Sequence, residues 1–359
     1  MEIPGLKLSS EPRHHFASDN NAPAHPQVME AIIEANQGHA LAYGSDYFTD
    51  RAVTSLKQVF GQRCEPFFVF TGTGANVLSL AALTRSHHAV ICAEESHLNG
   101  PECAAPEQIA RVKLFGVPTR TGKISIPDIE RFFDHRGDQH HAQPKVISLT
   151  QTTDFGLCYT LEEVREICDF AHENEMYVHM DGARLSNACA ALDVSLKQMT
   201  ADSGLDVLSL GGTKNGLLGA EAVLFFNPEL AEDFLYIRKQ GMQLASKMRF
   251  LAVQLEALFG GDLWLHNARQ ANRMARMLAE GLERIPGVHI SRQIQSNMVY
   301  CRLPAESIPR IQEDYLFYVF DPQASEVRLV TSYDSTEDDV RGFLTAAAQA
   351  IECATCSDS

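Results

Sequence analysis

Val178-His179-Met180-Asp181-Gly182-Ala183-Arg184 and Gly211-Gly212-Thr213-Lys214-Asn215-Gly216 are the two stretches whose reading decides the fold. Met176–Met180 and Val207–Leu210 are short apolar runs of the kind buried in a parallel sheet. Asp181 closes the first run, and a glycine turn carrying Lys214 closes the second. A carboxylate at one strand end and a lysine at the next suit pyridoxal phosphate. The lysine amine condenses with the cofactor's aldehyde, and the carboxylate keeps the ring nitrogen protonated so that the ring accepts carbanion electrons. Taken singly, Asp181 also reads as a strand-end cap and Lys214 as a loop lysine; the pairing and its glycines carry the cofactor reading.

Outward from these runs, strands and helices alternate. Phe67–Phe70, Ala89–Cys92, Val112–Phe115, Val146–Leu149 and Ala220–Phe226 read as further strands. Helices are expected from Pro26, from Thr49 to Phe60, from Gly74 to Leu83, from Ile126 to Phe133 and from Thr160 to Asn174. Thr160 with Glu163 three residues on spells a capping box. This alternation implies an α/β fold, a largely parallel sheet with helices on both faces. Helical pattern then dominates Glu229–Leu258 and Leu263–Ile285. Val288–Ile290, Asn297–Cys301, Tyr318–Phe320 and Val327–Val330 read as strands before a helix near Glu337. The expected organisation is an N-terminal arm over 1–30, a large cofactor-binding domain over 31–267, a small α+β domain over 268–352 and a tail over 353–359.

The chain has 359 residues, 45% of them hydrophobic and 21% charged, enough for a large core and roughly two domains. A net charge of −16 argues against a nucleic-acid footprint and against anionic membranes. The nine cysteines show no metal-ligand spacing; Cys92, Cys158, Cys168 and Cys189 sit in apolar runs, the usage of a reducing, cytoplasmic compartment. Cys353-Ala-Thr-Cys356 reads as incidental, in a polar tail past the last helix. Met1–His15 has no apolar core of a signal peptide, and no stretch is apolar enough to span a membrane.

Parallel sheets bind ligands at the carboxyl ends of their strands. Thr71-Gly72-Thr73-Gly74-Ala75-Asn76 lies at one such end and opens a helix, so its amides and the Thr73 hydroxyl suit a phosphate. By itself it reads equally as a plain strand-to-helix turn. His97 follows another strand end and suits stacking on a cofactor ring, or a loop hydrogen bond. Arg184 suits the cofactor's phenolic oxygen or a substrate carboxylate. Arg328, inside an apolar strand, needs an anion: a substrate carboxylate or a structural ion pair. His87-His88 and His140-His141 read as turns without a role.

Phe16-Ala-Ser-Asp-Asn, Tyr43-Gly-Ser-Asp, the Thr71–Asn76 turn, Ser96-His97, His179–Arg184, Gly211–Gly216 and Val327-Arg-Leu-Val-Thr331 together resemble the low-specificity L-threonine aldolases, over residues 14–345. The resemblance implies a fold-type I pyridoxal-phosphate enzyme with a seven-stranded, mostly parallel sheet and a small C-terminal α+β domain. It implies Lys214 as the cofactor-bearing lysine, Asp181 as ring-nitrogen partner and His97 as stacking residue. It implies Gly72 and Thr73 at the phosphate, and Ser18, Arg184 and Arg328 at the amino-acid carboxylate. It also implies a homo-oligomer, dimer or tetramer, in which a neighbouring subunit contributes to each site; Tyr43 and Lys247 are candidates for that contribution. Many members carry a histidine after the strand matching Val146–Leu149, where this chain has Thr150-Gln-Thr-Thr153-Asp154. Thr153 takes that position, which leaves His97, or a water held by Thr153 and Asp154, as the base. The expected reaction is retro-aldol cleavage of a β-hydroxy-α-amino acid, threonine or a phenylserine-like one, to glycine and an aldehyde. Racemisation, β-elimination and transamination use the same parts.

Overall fold

The computed structural model describes residues 15–357, so the first half of the expected N-terminal arm lies outside the described residues. Two compact units divide the chain. One spans Ala24–Leu265; the other joins the residues up to Pro23 to those from His266 onward.

The first unit is built on strands β1 (Glu65–Val69), β2 (His88–Ala93), β3 (Lys113–Val117), β4 (Gln143–Thr150), β5 (Tyr177–Gly182), β6 (Val207–Leu210) and β7 (Glu221–Phe225). They form one seven-stranded sheet in the order β1-β7-β6-β5-β4-β2-β3. The β3-β2-β4-β5-β6 block is parallel, while β7 runs antiparallel to both β6 and β1.

Strand side chains alternate between faces, so consecutive apolar residues belong to different cores. Val90, Val146, Val207, Val223 and Phe225 pack with Ala75, Leu78 and Leu80 of the helix Gly72–Leu83. Their neighbours Ile91, Ile147, Leu208, Ala222 and Leu224 join the opposite layer, with Leu56, Val164, Ile167, Leu255 and Phe259 from helices Tyr47–Phe60, Leu161–Glu173 and Arg249–Phe259. Burial on both faces explains why these strands read as unbroken apolar runs. Thr160 and Glu163 form the expected capping box.

The helical stretch expected over Glu229–Leu258 is broken. Helices Phe234–Gln240 and Arg249–Phe259 flank a turn at Gly241, where a Cβ would lie 2.5 Å from Leu78 Cδ2, and Met242, which has φ of 60°. The turn carries Gln243 onto the strand edge: its Oε1 accepts a hydrogen bond from the Phe70 amide at 2.9 Å. Helices Leu185–Leu192, Leu196–Met199 and Ser307–Gln312 were not expected, being too short to show a period.

The second unit is α+β. Strands β8 (His289–Ile290), β9 (Met298–Arg302), β10 (Tyr318–Asp321) and β11 (Glu326–Val330) form an antiparallel sheet in the order β10-β11-β9-β8. Val299, Cys301, Val327 and Leu329 pack with Met274, Leu278 and Leu282 of one helix and Val340, Phe343 and Ala347 of another. Phe16 joins this core and brackets β11: its amide donates to Leu316 O, and its carbonyl accepts from the Val330 amide. The final helix runs Glu337–Ser357, so Cys353 lies within it and not in a tail past it. Its amphipathic face continues through Ala350, Ile351 and Ala354, which are buried.

Candidate active site

The unusual segments of the first unit converge on the carboxyl ends of its parallel strands. Asp181, on β5, is buried, and both its oxygens are engaged: Asn76 Nδ2 donates to Oδ2 at 2.9 Å and the Ala183 amide to Oδ1 at 3.0 Å. Such a carboxylate keeps its orientation and still has lone pairs for a further donor. Two residues earlier, His179 pins the strand itself. Its Nδ1 meets Ser148 Oγ and its Nε2 meets Ser209 Oγ, each at 2.9 Å, so it ties β4 to β6 across β5. Burial pushes its pKa down to about 4, which keeps the ring neutral.

Asn76 also connects Asp181 to a second carboxylate. Its Nδ2 lies 3.2 Å from Glu102 Oε1, and that same oxygen lies 2.7 Å from His97 Nδ1. Glu102 has a fully buried side chain, while His97 is 38% exposed, so the imidazole is anchored at one edge and open to the site. The hydrogen bond that His97 donates to Glu102, more than any other influence, raises the His97 pKa; Asp181 raises it further, while desolvation and Lys214 oppose. Among the described residues Glu102 Oε2 and Asn76 Oδ1 are buried with no hydrogen-bond partner, the mark of a site shaped for groups beyond the chain itself.

Lys214 sits in a single 3-10 turn, Thr213–Asn215, just past β6. Three contacts fix the turn. The buried Glu221 carboxylate accepts from the Gly212 amide at 2.8 Å and the Thr213 amide at 3.4 Å, and Asn215 Nδ2 donates to Trp264 O at 3.0 Å. Burial raises the Glu221 pKa, and the same hydrogen bonds pull it back. Gly211 is required by close approach: a Cβ there would stand 2.6 Å from Ala183 Cα, joining the lysine turn to the segment after Asp181. The charges of Asp181 and Lys214 both bear on His97 and on Asp154.

The sequence matches the beta-eliminating lyase family over residues 15–304. The chain belongs to that family. It is 43% identical over 328 residues to a low specificity L-threonine aldolase of Pseudomonas aeruginosa, covering 91% of this chain and 94% of that one. It is 40% identical, with the same coverage, to a low specificity L-threonine aldolase of a Pseudomonas species. Among solved structures it resembles a Leishmania major threonine aldolase, with a TM-score of 0.89, 26% identity and coverage of 94% of this chain and 99% of that one.

Two more expected positions of this lyase lie on the same sheet edge. Thr71 caps the helix that begins at Gly72: its hydroxyl accepts from the Gly74 amide at 3.0 Å. Gly72 and Thr73 are exposed in the first turn, where amides have no intrahelical acceptor. Arg184 caps the helix Leu185–Leu192 and acts electrostatically on Asp154. Burial, then the Asp181 charge, raise the Asp154 pKa to about 6, with Arg184, His97 and Lys214 opposing.

Thr153 is the expectation that geometry corrects. It is fully buried; its hydroxyl donates to Thr121 O at 2.9 Å and accepts from the Leu157 amide at 3.2 Å. A hydroxyl has one proton to give, and here it closes a loop.

Lys247 is exposed on the segment before helix Arg249–Phe259, and Tyr43 is 52% exposed beside it, its amide donating to Ser246 O at 2.9 Å. Ser18 and Arg328 belong to the second unit. Ser18 caps a short turn through Oγ, and Arg328 lies over the Tyr318 ring at 5.8 Å, its Nε buried and without a hydrogen-bond partner among the described residues. An unsatisfied guanidinium donor is suited to an incoming carboxylate.

Sequence reasoning overlooked Glu102, Glu221, His179 and Gln243, and gave Asn76 no part. Glu221 had a signal, a lone carboxylate at the head of an apolar strand. Glu102 had a weaker one, an acid beside Gly100-Pro101 soon after His97.

Proposed function

We propose that this chain is a pyridoxal-phosphate-dependent, low-specificity L-threonine aldolase that cleaves L-threonine, L-allo-threonine and related β-hydroxy-α-amino acids to glycine and an aldehyde. The observation that carries this reading is the doubly held Asp181 carboxylate on the same strand edge as the Lys214 turn. The 43% identity to a low specificity L-threonine aldolase supports the substrate class.

Pyridoxal phosphate, when bound, supplies an aldehyde that condenses with amines and a ring that withdraws electrons from a breaking bond at Cα. Lys214 would hold it through the side-chain amine. Asp181, its orientation set by Asn76 and Ala183, would keep a proton on the ring nitrogen. His97, fixed by Glu102, would support the ring. The amides of Gly72 and Thr73 would bind the phosphate at a helix N-terminus. Arg184 receives the substrate carboxylate. The proton of the β-hydroxyl passes to His97 or to a water held by Asp154. The active form is a homo-oligomer, dimer or tetramer, to whose sites Tyr43 and Lys247 contribute across the subunit boundary. The enzyme works in the cytoplasm. Among the described residues no helix is long and apolar enough to cross a membrane.

The deciding experiment is aldehyde release from L-threonine and L-allo-threonine by the cofactor-loaded protein, coupled to NADH oxidation by alcohol dehydrogenase. Release from both isomers with an equal amount of glycine is expected. Racemised substrate or a keto acid in place of glycine would transfer the chain to another reaction of the same scaffold. Asp181→Ala should cost about 100-fold or more in turnover, the scale for losing a preorganised electrostatic group.

A further inference from the structure

The turn that enters β4 gathers His135, Asp138 and His141, and one ligand atom from each lies within 4.8 Å of the others. We propose that this turn binds a divalent transition-metal ion, with zinc as the representative ion.

The turn is held in shape by one side chain. Gln143, the first residue of β4, donates from Nε2 to the carbonyls of His135 at 3.2 Å, Asp138 at 3.0 Å and His141 at 2.9 Å. Its Oε1 accepts from the Gly137 amide at 2.7 Å. The three carbonyls drawn to one nitrogen are those of the three ligand residues, so the backbone that presents them is set before any ion arrives. Above it, the rings of His135 and His141 stack with centroids 3.8 Å apart and planes 7° from parallel, and His141 Nδ1 lies 2.9 Å from Asp138 Oδ2. Arg136, the basic residue inside the turn, faces elsewhere: it lies over the Phe133 ring and bonds Asn174 Oδ1 at 3.0 Å and O at 2.7 Å. Among the described residues the Asp138 carboxylate pairs with His141 and accepts from the His140 amide at 2.9 Å, and Arg136 does not reach it.

Two imidazoles and one carboxylate, leaving a fourth position for water, form a donor set that suits zinc. Tetrahedral ligands at zinc–nitrogen and zinc–oxygen lengths stand about 3.4 Å apart, so closing the cluster needs side-chain rotation of about 1.4 Å at most, which exposed rings allow. The turn lies at the amino ends of the parallel strands, opposite the edge that carries Asp181 and Lys214. An ion bound there meets neither the cofactor lysine nor His97. By mass action it stabilises the folded chain and ties the turn to β4.

The test is zinc titration by calorimetry of the full chain, stripped with chelator and reloaded with its cofactor, beside the double variant His135→Asn/His141→Asn and the single variant Asp138→Asn. The double variant should lose one zinc equivalent per chain, and Asp138→Asn should bind at least about 10-fold more weakly. Both should keep the wild-type circular dichroism and aldehyde release. Cobalt(II) should give a visible absorption band in the wild type that the double variant lacks, which reads coordination independently of stability. The same zinc stoichiometry in the double variant, or no zinc uptake by the wild type at micromolar concentration, would overturn the site.

Discussion

Glu102 Oε1 stands 2.7 Å from His97 Nδ1, and the carboxylate is fully buried behind an imidazole that is partly open. The same oxygen reaches Asn76, which holds Asp181, so two positions of the site share one buried charge. A hydrogen-bonded carboxylate favours the imidazolium, and the His97 pKa is raised. The sign follows: the pair contributes most when His97 is charged, and its contribution fades as pH rises through the folded-state value. Replacing Glu102 by Gln should lower the His97 titration midpoint, read by NMR, and, with His97 as the base, move the acidic rise in turnover to lower pH. An unmoved His97 midpoint would show that Glu102 does not set its charge.

Asp154 makes an opposite case. Its pKa is raised to about 6 by burial and by Asp181, so the folded chain favours the protonated acid. The stability linked to that proton is present at low pH and is lost as pH rises toward 6 and through it. Asp154→Asn should remove an ionisation near 6 from the acidic limb of the pH–rate profile. Relative to wild type the variant should be more stable at neutral pH than at acidic pH. A limb that persists in the variant would assign it to another group.

Thr153 separates loop architecture from chemistry. Thr153→Val keeps the shape, removes the bond to Thr121 O and leaves the Leu157 amide without its side-chain acceptor. A loss of about 1–3 kcal/mol in stability is expected, with KM for threonine little changed. A collapse of kcat at unchanged Tm would instead give the hydroxyl a part in the reaction.

Glu221 underlies the lysine turn. Glu221→Ala strands the buried Gly212 amide and should cost about 1–3 kcal/mol while loosening cofactor retention, measured by dialysis and absorbance. Glu221→Gln keeps an acceptor and should be tolerated. Because burial raises the Glu221 pKa, folding favours its neutral form, and the Gln variant should gain on wild type as pH rises.

The placement of Asp181 and of the Lys214 turn at the ends of neighbouring strands was legible because each follows an apolar run that two-sided burial requires, and such runs survive in the sequence as pattern. The capping box at Thr160 was legible because it is local, three residues from end to end. The loop bonds of Thr153 were not legible, because a match in sequence position carries no information about which way a hydroxyl points.

The sequence by itself determined the α/β alternation, the strand edge that carries the chemistry and the residues that mark it, since periodicity and strand-end glycines are written along the chain. Only the tertiary structure decided what holds those residues. Asn76 of a helix meets Asp181 of β5, and Gln243 meets the Phe70 amide, across large separations in the chain. Such contacts depend on how elements pack in space, and buried polar groups find their partners there, where no spacing along the chain records them.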